Sequence, residues 1–184
     1  MLYSALDLAS HSMSARLPRR TAADMVPLRD DDPALLALTD FTRESPLTVT
    51  GERQIDDALQ DMISGGVRAL IVVRDGVVRG LITSYDIQGE RPIRFIQGPD
   101  CIHDDCRHQD VLVEDIMTGW DALPKLSLDA LRMRRVGDVL ATFARHDDWM
   151  HLLVVESTPG NGCVVRGIVS RTRLERGRQM PRAA

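Results

Sequence analysis

The sequence predicts an α/β (α+β) fold made of two similar units in tandem. The segment VVRGLITSYDI at residues 77–87 returns as VVRGIVSRTRL at residues 164–174. Each copy follows a short aliphatic and β-branched run typical of a buried strand, LIVV at 70–73 and LLVV at 152–155. A strand pair that recurs with a hydroxyl residue at its end indicates internal duplication.

An amphipathic helix is predicted before each strand pair. The apolar residues of the first helix share one face at the helical spacing: Ile55, Ala58, Leu59, Met62 and Ile63. The second set has the same spacing: Val136, Val139, Leu140, Phe143 and Ala144. Asp75-Gly76 predicts a tight hairpin, because Asp-Gly accepts positive φ at little cost. The second connection, from Glu156 to about Gly162, is longer and predicts a looser loop. Each unit is therefore helix–strand–strand–helix.

The remaining segments are assigned from composition and punctuation. Pro33–Leu38 predicts a short helix with Asp32 as its cap, and Leu47–Val49 predicts a short strand. A helix is expected from Asp86 to about Gln97, interrupted by Gly89 and Pro92. Residues 123–135 have no clear period, so helix and strand both stay open there. The expected divisions are 1–32, a partly disordered arm; 33–97, unit 1; 98–112, a linker; 113–177, unit 2; and 178–184, a tail.

Composition limits the class of protein. The chain has 184 residues, 43% hydrophobic residues and a net charge of −4. This balance disfavours nucleic-acid binding, which usually needs a basic stripe. No apolar run is long enough to span a bilayer, and the N-terminus lacks the apolar core of a secretory signal. Three cysteines without a regular framework suggest a reducing compartment. We expect a cytoplasmic protein without a membrane partner.

The linker contains two cysteines and two histidines, Cys101, His103, Cys106 and His108. Thiolates and imidazoles are the ligands that zinc prefers. All four residues fall within eight positions, however, whereas structural sites usually hold ligand pairs on two separate chain segments. We expect no structural metal here.

Two units in tandem, each ending in Gly-aliphatic-aliphatic-Ser/Thr, with Asp three residues later in the first copy, resemble the paired cystathionine β-synthase (CBS) domains of regulatory nucleotide sensors. The resemblance covers about Pro33 to Gly177. It implies two units packed by their sheets, a lead-in segment that packs on unit 1, and clefts for adenosine nucleotides. It implies a stand-alone regulatory protein that signals to an unknown effector, with the nucleotide as a regulatory ligand and no cofactor. It also implies a homodimer, whose contact we expect at the helices that start at Ile55 and Val136.

The Thr83-x-x-Asp86 motif has two interpretations. As a capping box, Thr83 and Asp86 satisfy backbone N–H groups at the start of a helix. As a nucleotide site, the first-turn N–H groups attract phosphate, and Asp86 accepts hydrogen bonds from the ribose hydroxyls. Gly80 and Gly167 indicate a close approach to the strand, by a ligand base or by a neighbouring helix. The candidate nucleotide-binding residues are Thr48, Arg68, Gly80, Thr83, Ser84, Asp86, Ser170, Arg171 and Arg173.

The second copy has Arg173 where the first has Asp86. A guanidinium has only donors and cannot accept from ribose. We therefore expect one nucleoside site, and a second site that is empty or binds phosphate alone. The sequence shows no nucleophile elbow, no P-loop and no grouped histidines, so we expect no enzyme. Two alternatives stay open: an interaction scaffold that kept the fold and lost the ligand, and a metal-sensing regulator built on the linker.

Overall fold

The computed structural model describes residues 27–99, 101, 107–159 and 162–180. Most of the expected N-terminal arm, part of the Cys/His linker and the last four residues lie outside these ranges. The first half of the described chain forms β1 (Leu38–Asp40), β2 (Thr48–Val49), α1 (Ile55–Gly65), β3 (Ala69–Arg74), β4 (Val77–Thr83), α2 (Ser84–Gln88) and α3 (Arg91–Ile96). The second half forms α4 (Val113–Ile116), β5 (Thr118–Gly119), β6 (Lys125–Ser127), α5 (Leu128–Arg132), α6 (Val136–Ala144), β7 (His151–Thr158), β8 (Gly162–Ser170) and α7 (Arg171–Gln179).

The predicted mixed α/β fold with two repeated units is confirmed. Unit 1 consists of β2 to α3, and unit 2 consists of β6 to α7. In both units a parallel strand pair, β2–β3 or β6–β7, is followed by an antiparallel pair, β3–β4 or β7–β8. The two antiparallel pairs even share an irregularity in register, between Val72 and Val73 and between Val154 and Val155. The units are therefore copies at the level of backbone pairing.

The structure decides three local predictions, of which one differs from it. The expected helix at Pro33–Leu38 is a 3-10 turn at Ala34–Ala37, and Pro33 rather than Asp32 stands at its cap. The interruption predicted within residues 86–97 is present, because the chain leaves helical geometry at Gly89 and forms α2 and α3. The open stretch 123–135 contains both alternatives, the strand β6 and then the helix α5. The predicted hairpin is present, with positive φ at Asp75 and Gly76.

The lead-in segment of each unit packs on the other unit. Lead-in 1, residues 33–40, adds β1 to the sheet β1-β8-β7-β6 of unit 2. Lead-in 2, residues 113–119, adds β5 to the sheet β2-β3-β4-β5 of unit 1. The expectation that lead-in 1 packs on unit 1 is therefore wrong. Its small residues Ala34 and Ala37 are buried in the core of unit 2 instead. The position of this segment in the chain does not reveal that contact.

This exchange explains the two repeated glycines. A Cβ on Gly80 would lie 2.5 Å from the carbonyl oxygen of Thr118, and a Cβ on Gly167 would collide with the carbonyl oxygen of Thr39. Thr118 belongs to lead-in 2 and Thr39 to lead-in 1. The close approach predicted for both glycines is present, but the approaching group is a paired strand from the other half of the chain and not the ligand base or helix that the sequence suggested.

Three apolar clusters fill the molecule. One fills unit 1 and includes Val111 and Val113, which precede unit 2 in the chain. A second fills unit 2 and includes Leu28 with the two alanines of lead-in 1. The third joins the sheet faces of the two units through Ile71, Leu81, Leu123 and Leu153. The sheets therefore pack face to face, as the resemblance implied.

The helices α1 and α6 turn their apolar sides toward their own units. Ile55, Ala58 and Met62 of α1 are buried, whereas Asp56 and Asp57 are exposed. The outer faces offered to solvent are mostly polar, with Ile63 as the exposed apolar exception on α1. The homodimer stays a prediction. Of the apolar outer face that was expected on α1, only Ile63 is exposed.

Candidate functional site

A cleft of about 380 Å³ lies where the end of β4 in unit 1 meets the start of β7 in unit 2. We name it the Asp86 cleft. Unit 1 contributes Leu81, Thr83, Tyr85, Asp86 and Arg91 to its walls, and the rest of the lining is Thr118, Ala122, Leu123, Pro124, Asp148, Trp149, Met150 and His151. The volume lies within the range of small-molecule pockets. Both units and lead-in 2 are needed to form it.

Thr83 and Asp86 form the predicted capping box at the start of α2. The backbone N–H and the hydroxyl of Thr83 both donate to Asp86 Oδ2, at 2.8 and 2.7 Å. The N–H of Asp86 donates back to the Thr83 hydroxyl at 3.2 Å, and the N–H of Ser84 donates to the carbonyl of Arg68 at 3.0 Å. Two first-turn N–H groups of this five-residue helix are therefore already paired. The motif has a structural role whether or not a ligand binds.

Arg91 connects the other oxygen of Asp86 to lead-in 2. Its Nε lies 3.2 Å from Asp86 Oδ1. Its Nη1 donates to the carbonyl of Ile116 at 2.7 Å and to the hydroxyl of Thr118 at 3.0 Å. The Asp86 side chain is 14% exposed and that of Arg91 is 45% exposed. Arg91 thus spans the boundary between α3 of unit 1 and the strand supplied by the second half of the chain.

The opposite wall carries two rings from the start of β7. Burial lowers the pKa of His151 to about 4, although the negative charge of Asp86 acts in the other direction. The imidazole is therefore neutral near pH 7. Trp149 stacks on His146, with ring centroids 3.6 Å apart and planes inclined by 10°. The cleft thus offers a carboxylate on one wall and a neutral imidazole and an indole on the other.

The second copy of the motif is engaged differently. Ser170 makes no side-chain cap hydrogen bond to α7. Arg171 pairs with Glu175 at 3.2 Å and donates to the carbonyl of Asp147 at 3.1 Å. Arg173, at the position of Asp86, donates instead to the hydroxyl of Thr39 in lead-in 1. The departure seen in the sequence is therefore accompanied by a different set of contacts.

The structure gathers some of the candidate residues and separates others. Thr83 and Asp86 line the Asp86 cleft, whereas Thr48, Arg68, Gly80 and Ser84 do not. Arg68 donates to the hydroxyl of the cleft residue Tyr85 at 3.3 Å, so it reaches the cleft through that ring. Thr48 is exposed on a short edge strand. The roles proposed for these residues stay predictions.

Sequence reasoning did not find Tyr85, Arg91, Thr118, Trp149 or His151. The repeat itself contains a signal for two of them. Thr118 and Thr39 are each the next-to-last residue of a lead-in segment, and Arg91 and Arg178 stand at the same offset from the repeated motif. For Trp149 and His151 the sequence shows only their place at the start of the buried strand β7 of unit 2. Their approach to unit 1 depends on the packing of the sheets and is not local.

The described part of the linker shows how two of its candidate ligands are used. Cys101 is disulfide-bonded, so its sulfur is not available as a thiolate ligand. His108 Nδ1 lies 3.2 Å from Asp56 Oδ1. His103 and Cys106 lie outside the described residues, so the metal prediction is not tested for the whole linker.

Comparison with known proteins identifies the fold. Residues 38–91 match the family model of the CBS domain. Unit 1 contains a CBS domain, and the whole chain has the fold of a tandem CBS pair. No curated protein sequence matches it at a significant level. An uncharacterised conserved protein from Pyrococcus horikoshii has 24% identity and a TM-score of 0.54, with 85% of this chain and 100% of that chain covered.

Two further solved structures show the same fold. A candidate signal-transduction protein with CBS domains from Burkholderia ambifaria MC40-6 has 20% identity, a TM-score of 0.52 and coverage of 76% of this chain and 89% of that chain. A Methanocaldococcus jannaschii protein, described as a candidate archaeal homologue of γ-AMPK, has 17% identity and a TM-score of 0.51. It is aligned over 81% of this chain and 48% of its own. At these identities the comparisons show the fold of the CBS pair.

In this CBS pair the matched residues run from lead-in 1 through Arg91, so they include the Thr83-x-x-Asp86 motif. Unit 2 is identified by its repeated backbone pairing rather than by the family model. In the described ranges, no helix of the CBS pair is long and apolar enough to cross a membrane.

Proposed function

We propose that this CBS pair is a regulatory module that binds an adenosine nucleotide in the Asp86 cleft and signals the bound state to a partner protein. The observation that carries the proposal is the cleft itself. It places a carboxylate, a buried hydroxyl and two aromatic rings around a space of about 380 Å³. A purine nucleoside has the matching parts, a flat apolar base and a ribose with two hydroxyl donors.

Asp86 is the residue that we assign to the ribose. Its Oδ2 accepts hydrogen bonds from the backbone N–H and the hydroxyl of Thr83, so the carboxylate is held in one orientation. A carboxylate is an acceptor only and can receive both ribose hydroxyls. Holding the acceptor in place before the ligand arrives lowers the entropic cost of binding.

Trp149 is the residue that we assign to the base, because an indole gives a π-face on which a purine stacks. His151 adds a neutral imidazole, whose two nitrogens donate and accept one hydrogen bond each. The candidate archaeal homologue of γ-AMPK among the structures with this fold supports a nucleotide-sensing role only by analogy.

Tryptophan fluorescence tests this function directly. The chain has two tryptophans, and Trp120 packs between the sheets. The Trp120→Phe variant therefore leaves Trp149 as the single reporter in the cleft. We expect the emission of Trp149 to change on titration with adenosine or AMP and to reach saturation. We expect titration calorimetry on the wild-type protein to give one site per chain.

The controls separate binding from the alternatives. Trp149→Phe removes the reporter, and calorimetry then shows whether binding itself persists. An emission change that does not saturate, together with no heat of binding for adenosine, AMP, ADP or ATP, would favour the scaffold without a ligand. Two equivalent sites per chain would contradict the assignment of unit 2 as the weaker or empty copy.

A further inference from the structure

The Arg91 contact with Asp86 has a consequence for any ligand that uses this carboxylate, and this inference rests on the proposed function. An ionised carboxylate has about four lone-pair positions, two on each oxygen. Thr83 fills both positions of Oδ2 with its N–H and its hydroxyl. Arg91 Nε lies 3.2 Å from Oδ1 in an ion pair. Two ribose hydroxyls that bind Asp86 must therefore both use Oδ1, the oxygen beside which the guanidinium lies.

Of the three donors around Asp86, Arg91 is the one that can leave. Thr83 is buried at the end of β4, and its bonds to Asp86 form the start of α2. The Arg91 side chain is 45% exposed and reaches Asp86 from a separate helix. A half-exposed ion pair contributes little free energy, so its replacement by a ribose hydroxyl costs little.

Arg91 also has donors to offer once it turns away from Asp86. A guanidinium carries five N–H donors. Nη1 uses two of them at Ile116 and Thr118, and Nη2 makes no hydrogen bond within the described part of the chain. Nε and Nη2 lie on one edge of the guanidinium and together fit two oxygens of a phosphate. Among the described residues that line the Asp86 cleft, no other carries a positive charge near pH 7.

We propose that Arg91 is a specificity-determining residue that occupies the ribose-binding oxygen of Asp86 in the empty cleft and binds the phosphate of a nucleoside monophosphate in the occupied one. Arg91 then weakens the binding of a nucleoside without phosphate, because that ligand displaces the guanidinium from Asp86 and offers it no new partner. It strengthens the binding of the monophosphate, because the phosphate binds the displaced guanidinium.

The test compares adenosine with AMP on the wild type and on Arg91→Gln by calorimetry. We expect the wild type to bind AMP about tenfold more tightly than adenosine, as a charge-assisted hydrogen bond provides. In Arg91→Gln we expect adenosine to bind about two- to fivefold more tightly than it binds the wild type, because the competing ion pair is gone. We expect the preference for AMP to fall to about twofold or less.

Arg94→Gln is the matched control. Arg94 is on the same helix, loses the same charge, and pairs with Glu90 at 2.6 Å with its side chain 78% exposed. Arg94 does not line the cleft and, among the described residues, its side chain forms no hydrogen bond or ion pair with a residue that does, so both affinities should equal those of the wild type. Melting curves of all variants show whether they are folded. If Arg91→Gln is not folded, Arg91→Lys replaces it. We then expect adenosine to bind more tightly than it binds the wild type, because a lysine cannot span the three acceptors at Asp86, Ile116 and Thr118. We expect the AMP preference to be kept, because a lysine keeps the charge.

The outcomes distinguish this inference from the proposed function. If adenosine binds Arg91→Gln no better than the wild type, or if the AMP preference survives in Arg91→Gln, Arg91 does not have this role and the nucleotide site stands. If neither ligand binds the wild-type protein, the proposed function fails and this inference fails with it.

Discussion

The substitution Asp86→Ala removes a structural bond and a ligand contact together, and the two effects have different sizes. The folded protein loses the acceptor for the Thr83 N–H and hydroxyl. Thr83 is 7% exposed, so water replaces the lost acceptor poorly. Loss of a helix cap costs about 1 kcal/mol and an unsatisfied buried donor about 1–3 kcal/mol. We expect a free-energy loss of about 2 kcal/mol, which lowers the Tm of a chain of this length by about 4–8 °C.

The free energy of AMP binding that Asp86→Ala loses should be larger than the free energy of unfolding that it loses. Hydrogen bonds to a charged group contribute about 1.5–3 kcal/mol each. Removing the acceptor of two ribose hydroxyls should therefore weaken AMP binding by at least about 100-fold. Calorimetry at a temperature well below the Tm of the variant measures this without interference from unfolding.

Asp138→Ala is the matched control for the cap. Asp138 occupies the third position of α6 and accepts from the N–H of Arg135 at 2.9 Å, but it is exposed and lies outside the Asp86 cleft. We expect a loss of about 1 kcal/mol in stability and unchanged AMP binding. Full affinity in Asp86→Ala would refute the assignment of this carboxylate to ribose. Equal loss of affinity in both variants would show that helix capping alone explains the effect.

Three further predictions concern stability and assembly. Gly80→Ala should destabilise the protein by about 1–3 kcal/mol in urea denaturation, because the added Cβ meets the Thr118 carbonyl; Gly119→Ala, which meets no atom within 4 Å, should be nearly neutral. Because burial lowers the pKa of His151 to about 4, the unfolded chain binds more protons than the folded one between pH 6.5 and 4. Stability from this group should therefore be present above pH 6.5 and lost as pH falls through this window, and His151→Gln should flatten the dependence. Light scattering should show a two-fold homodimer, and a monomer at about tens of micromolar would contradict it.

The sequence predicts the repeated part of the fold well, because its signals are local. Strand runs, the helix face that includes Ile55, and the Asp75-Gly76 turn each depend on a few adjacent residues. The exchange of lead-ins is not local. Ala34 and Ala37 give no sign of the core they enter, since small residues fit many environments. Gly80 and Gly167 do give a sign of a close approach, but the identity of the approaching strand follows only from the packed structure.

The candidate site divides in the same way. Thr83 and Asp86 are predictable, because a hydroxyl and a carboxylate three residues apart after a strand form one recognisable turn. The opposite wall, with Trp149 and His151, comes from unit 2 and meets unit 1 through the packing of the sheets. A single sequence contains no signal for contacts between residues so far apart along the chain. The Thr83-x-x-Asp86 motif, in contrast, is contained within four residues.

The two copies of the motif differ in how an arginine holds the lead-in threonine. In unit 2, Arg173 replaces the carboxylate and itself donates to Thr39. In unit 1, the carboxylate is kept and Arg91 donates to Thr118 from the next helix while it also pairs with Asp86. Neither arrangement places the threonine contact and a ligand acceptor on one side chain, because a guanidinium has only donors. In unit 1, a ligand at Asp86 competes with the Asp86 ion pair of the same arginine that contacts Thr118 in β5. In unit 2, there is no carboxylate at Arg173 for which such a ligand could compete.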